Sequence, residues 1–265
     1  MTTAKTLAVR DAELYYEVRG SGPVLLALGS PMEAAAFAPI AELLSDRYRV
    51  VTHDPRGISN SRLNDPEQDS TPDLRADDVA AVLDDLEADR ADVLGSSGGA
   101  VTALALATRH PDRVGTVVAH EPPLLTLLPD AEDRLASTRE NVEIFHRDGL
   151  GAAFGRFMAD AGFGEDDAPP PQQEPSEQDI ANGSRFFAHE LLHTVRYEPD
   201  IEALRKARIV VGIGEHSHGL TTFPTSTALA DLLGVEPVGF PGGHAGFAEQ
   251  PEAFAPVLRK VLAAG

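Results

Sequence analysis

Two rhythms of apolar and polar positions run along this chain. The first has the period of a strand. Alternation over residues 6–10 and 14–18 predicts two antiparallel strands that turn at Asp11 and Ala12. Residues 24–28 are apolar without a break and bounded by Gly and Pro, the pattern of a strand buried on both faces. That pattern returns at 49–53, 91–95, 115–119 and 209–213, and more weakly at 233–240.

The second rhythm is helical. Thr71 can cap a helix with Pro72 in its first turn and Val79, Val82, Leu83 and Leu86 along one face. Val101, Leu104, Ala105 and Thr108 repeat the spacing, and His110 is expected to end that helix. Phe254, Val257, Leu258, Val261 and Leu262 repeat it again, with Pro256 expected to delay the start. Strands alternating with helices imply an α/β fold: a mostly parallel central sheet with helices on both faces. Residues 122–199 break the alternation with helical pieces and no strand, around a Pro-rich, polar loop at 168–179. The expected organisation is a core of 1–121 and 200–265 with a helical lid inserted at 122–199. Phe154, Phe157, Met158, Phe186 and Phe187 from that lid, with Met32, would supply an apolar substrate pocket.

Composition narrows the partners. The 265 residues are 42% hydrophobic and 24% charged, ordinary values for a folded domain. No apolar run approaches the ~20 residues of a membrane span. No long apolar segment precedes Asp11, which points to a soluble cytoplasmic protein. Twenty-two Lys and Arg against 42 Asp and Glu give a net charge of −20, which repels nucleic-acid backbones and anionic lipid. The chain has no cysteine, so disulfides, thiolate nucleophiles and Cys-ligated metals are excluded. Gly212-Ile213-Gly214 is too short for a dinucleotide fingerprint, and there is no HExxH or EF-hand loop. Neither a cofactor nor a metal is expected.

The chemistry concentrates at Leu94-Gly95-Ser96-Ser97-Gly98-Gly99-Ala100, a G-x-S-x-G pattern centred on Ser97. An apolar strand precedes it and a helical pattern follows it. A strand-to-helix turn this tight needs small neighbours, which Gly95 and Gly99 provide. It would hold the Ser97 hydroxyl at a helix N-terminus, where negative charge is favoured.

With this elbow, the segment His53-Asp54-Pro55-Arg56-Gly57-Ile58-Ser59-Asn60-Ser61 and the late Pro241-Gly242-Gly243-His244, the chain resembles the α/β-hydrolase superfamily over nearly its whole length. The resemblance implies Ser97 as nucleophile and His244 as general base. It implies an oxyanion hole from the N–H groups of Gly98 and Ser30, the latter in the turn Leu28-Gly29-Ser30-Pro31-Met32. Members often carry the triad acid after the strand at 209–213, where this chain has Gly214-Glu215-His216-Ser217 and no Asp. Glu121, after the strand at 115–119, is the favoured substitute, with Glu215 left open as the alternative. The His120-Glu121-Pro122 context is similar to zearalenone-type lactonases. Ser97 itself argues against the Asp-nucleophile dehalogenases and epoxide hydrolases.

The implied reaction is cleavage of a small, apolar or moderately polar ester or lactone through an acyl-enzyme. The same triad also serves C–C bond hydrolysis, perhydrolase and cofactor-free oxygenase chemistry, and the missing acid leaves room for a non-catalytic receptor.

Overall fold

The computed structural model describes residues 2–164 and 175–264, so residues 168–174 of the expected Pro-rich loop lie outside the described residues. The strands are β1 (Thr2–Ala8), β2 (Ala12–Arg19), β3 (Val24–Leu28), β4 (Arg49–His53), β5 (Arg62–Leu63), β6 (Ala91–Ser96), β7 (Val114–His120), β8 (Arg208–Gly214) and β9 (Val238–Phe240). Among the described residues they form one sheet in the order β1-β2-β4-β3-β6-β7-β8-β9, with β5 beside β2. From β4 to β9 all pairs are parallel, whereas β2 runs antiparallel to β1, β4 and β5.

The helices are α1 (Ala38–Leu44), α2 (Pro72–Asp85), α3 (Gly98–Arg109), α4 (Ala131–Asp148), α5 (Leu150–Ala161), α6 (Glu177–Arg185), α7 (Leu191–Val195), α8 (Ile201–Leu204), α9 (Thr222–Leu233), α10 (Gly246–Glu249) and α11 (Pro251–Ala263). Helices α2, α3 and α9 bury their apolar faces on one side of the sheet. Helices α1 and α11 cover the other, through Ile40, Leu44, Phe254 and Leu258. This is the doubly covered α/β sheet the alternation predicted. Among the described residues, no helix is long and apolar enough to cross a membrane.

Helices α4 to α7 stand between β7 and β8 and have a small core of their own around Leu135, Ala153, Phe187 and Leu191. Between α6 and α7, residues Phe186–Glu190 form a single wide π turn. The loop after β4 is locked by polar contacts. Arg56 grips Asp78 with two hydrogen bonds of 2.7 Å, and Asp54 accepts from the N–H groups of Ala34 and Asn60.

Several local expectations are corrected. The first hairpin turns over residues 9–11, because Val9 N–H bonds Ala12 O and Ala12 already belongs to β2. The last strand is confined to Val238–Phe240. Leu233 ends α9, and Gly234 caps it with a left-handed φ of 71°. Residues 177–179, expected in the loop, open α6 behind a Ser176–Asp179 capping box. Pro256 does not delay α11. It sits exposed inside the helix, where the carbonyl it leaves unpaired can meet water while Phe254, Leu258 and Leu262 stay buried.

Candidate active site

The site lies at the carboxyl ends of the parallel strands, where ligands bind in open α/β sheets. The chain runs outward from β3 to β4 on one side and to β6 on the other. The turn after β3 and the turn after β6 therefore meet. Register then aligns Ser96 of β6 with His120 of β7, and His120 with Gly212 of β8. Ser97 and Glu121, one residue further on, emerge at the same edge.

Ser97 has φ 56° and ψ −125°, a left-handed backbone that a non-glycine residue adopts only under constraint. Such strain costs on the order of 1–3 kcal/mol and collects at functional sites. The constraint is visible: Ser97 N–H bonds His120 O at 3.0 Å, and α3 begins at the next residue. A Cβ on Gly95 would stand 2.5 Å from Gly99 O, and one on Gly98 would stand 2.5 Å from Ser30 O. The elbow therefore needs glycine at both places, and the second contact shows how closely the β3 turn abuts it.

Glu121 is the other strained residue of the site, at φ 53°. Its side chain has no solvent exposure. One carboxylate oxygen accepts from Gly214 N–H at 2.8 Å. The other accepts from Thr222 Oγ1 at 3.0 Å and meets His244 Nδ1 at 2.5 Å. Burial alone would raise its pKa, but the His244 hydrogen bond and the nearby histidines prevail and hold it down at about 2. The carboxylate is thus ionised and points the opposite ring nitrogen of His244 away from itself. Beneath it, His120 is fully buried and driven down to about 4, so it stays neutral.

The positions after β8 behave differently. Glu215 is solvent-exposed, and its N–H pairs with Phe240 O. Ser217 is fully buried and its hydroxyl makes no hydrogen bond of ordinary geometry, although it lies near enough to Glu121 to help hold the charge there.

Ser97, Gly98, Ser30 and His244 line a single cavity of about 680 Å³. The expected pocket residues Met32, Phe154, Phe157, Met158, Phe186 and Phe187 line it too. Glu121 stands behind His244, off the lining. His189 and His193 do not reach the cavity and both contact Asp69, while His146 lies exposed on α4. Sequence reasoning missed Thr222, Glu190 and Phe163, whose ring meets His244 edge-on at 6.1 Å. No motif marks them, since each reaches the site only through tertiary packing.

Comparison with known proteins bears on family and fold. A model of the alpha/beta hydrolase family matches residues 24–257, and the chain belongs to that family. It is a hydrolase of the α/β type. The uncharacterized hydrolase YraK of Bacillus subtilis (strain 168) is 32% identical over 97% of this chain and 95% of its own length. Two solved structures share the fold. A thermophilic esterase from Thermogutta terrifontis superposes with a TM-score of 0.77 at 23% identity, covering 99% of this chain and 98% of that one. Est816, described as an N-acyl homoserine lactone degrading enzyme, superposes with a TM-score of 0.72 at 24% identity, covering 97% and 99%.

Proposed function

We propose that this protein is a serine hydrolase that cleaves a carboxylic ester or lactone through an acyl-enzyme. The observation that carries the reading is the 2.5 Å contact between buried, ionised Glu121 and His244 Nδ1, beside a cavity that Ser97 shares. Glu121 fixes the imidazole tautomer and stabilises the imidazolium, as the acid of a triad does. His244 Nε2 takes the proton from Ser97 Oγ as that oxygen bonds the carbonyl carbon. The tetrahedral oxyanion is held by the N–H groups of Gly98 and Ser30. The ester C–O bond then breaks, and His244 returns the proton to the leaving alcohol. Water, deprotonated by His244, releases the acid and regenerates Ser97.

The helical insertion at 122–199 acts as the cap over the 1–121 and 200–265 core and supplies the aromatic wall. A cavity of about 680 Å³ suits a small or medium substrate rather than a polymer. Its charged lining is Glu33, Asp133 and Asp160 against Arg134, whose Nε is already bonded to Asp130. That balance favours an uncharged acyl group over one carrying a carboxylate. The esterase and the lactone-degrading enzyme among the structural neighbours support the same bond type.

The test is intact mass after fluorophosphonate treatment, followed by a panel of neutral and carboxylate-bearing esters and lactones. A single adduct on wild type, absent from Ser97→Ala, with faster turnover of the neutral substrates, is the expected result. No adduct on folded wild type would displace the hydrolase reading in favour of a ligand receptor.

A further inference from the structure

Glu190 has no part in the reaction just described, yet it is buried at its edge. It closes the π turn at Phe186–Glu190 and is 1% exposed. From the insertion it reaches the sheet side, where its Oε2 accepts from Ser30 Oγ at 2.8 Å and lies 3.9 Å from the Arg75 guanidinium. Arg75, equally buried on α2, is held by Ser70 O, Thr102 Oγ1 and Thr194 Oγ1. The other carboxylate oxygen of Glu190 has no hydrogen-bond partner.

Stability is a poor reason for this arrangement. A buried ion pair is often matched or bettered by apolar residues of similar size. A carboxylate with one orphaned oxygen is costlier still. The placement also sits in an irregular helix turn, and π turns are frequent at functional sites. What Glu190 touches is the residue whose N–H is expected in the oxyanion hole. The Ser30 carbonyl in turn packs on Gly98, the other expected donor, closely enough that a Cβ there would be 2.5 Å away.

We propose that Glu190 is a positioning residue for the hydrolysis: by accepting the Ser30 hydroxyl it fixes the β3 turn so that the Ser30 N–H faces the developing oxyanion. Arg75 supplies the compensating charge that keeps the acceptor in place. Catalytic geometry thereby depends on the docking of the insertion, which carries the acceptor. The inference rests on the serine-hydrolase reading above.

Steady-state kinetics on p-nitrophenyl butyrate, with thermal melts, would test it. Ser30→Ala, Glu190→Ala and the double variant are compared with wild type. Each single change is expected to lower kcat about tenfold, less than the loss of an oxyanion donor outright, while KM moves less than about twofold. The double variant should fall no lower than the worse single. Glu190→Gln keeps an oxygen for Ser30 and should recover kcat to within about threefold of wild type. Multiplied losses in the double variant would overturn the proposal. So would folded Ser30→Ala with wild-type kcat, a variant that leaves the Arg75–Glu190 pair intact and so decides the matter even if Glu190→Ala does not fold. A wild-type protein that turns over no ester would instead bring down the hydrolase reading, and this inference with it.

Discussion

The ends of β7 and β8 lie side by side, and the sequence carries a candidate acid at each. At the end of β7, Glu121 is fully buried, strained and held by three donors. At the end of β8, Glu215 faces solvent and Ser217 occupies the buried place without a charge. The difference is one of environment more than of residue type. A carboxylate supports imidazolium only where it is ionised, desolvated and fixed, and only the β7 end provides all three. The β8 end still contributes, because the Gly214 N–H helps to hold Glu121 in place.

The largest test of this contrast removes the β7 acid. Glu121→Gln should lower kcat/KM by roughly 10³–10⁴ on any ester the wild type cleaves, by leaving the imidazole in the wrong tautomer. Moving the acid sharpens the contrast. Ser217→Asp in the Glu121→Ala background should regain about tenfold, read by the same assay, because the buried place close to position 121 then holds a carboxylate. A double variant no better than Glu121→Ala would mean that the β8 end cannot serve.

Acid unfolding probes the same group without substrate. The folded pKa of Glu121 is about 2, against an ordinary value of 4.5. Its stabilising contribution is therefore complete above pH 4.5 and lost as pH falls towards 2. It is on the order of 3 kcal/mol. Urea titrations at several pH values should show a shallower acid limb for Glu121→Gln than for wild type. A smaller effect is expected from Thr222→Val, which deletes one donor to the carboxylate. It should cost kcat/KM about tenfold, the scale of one hydrogen bond to a charged group. Glu215→Gln should change kcat by less than about twofold, since exposed charges contribute little. A large loss there would reverse the comparison.

Much of this frame was legible in the chain. Strand and helix periodicities gave the α/β architecture, because a doubly covered parallel sheet demands unbroken apolar strands such as 24–28 and 209–213. The elbow was legible because its glycines stand together in one short motif, although Gly98 is required by the distant Ser30 carbonyl of the β3 turn and only Gly95 by the elbow's own backbone. The errors were local too. Pro256 and Leu233 misled because burial of neighbouring apolar faces and a left-handed glycine cap outweighed propensity.

Ser97 and His244 stood out from their motifs, and Glu121 from its place at a strand end, all from residue type and order. Their meeting, the capture of Glu121 by Gly214 and Thr222, and the reach of Glu190 to Ser30 were decided by tertiary structure alone. Those contacts join residues about 90 to 160 positions apart. No local pattern encodes such a distance. The sheet's register and the docking of the insertion bring them together, and burial then makes each hydrogen bond strong enough to matter.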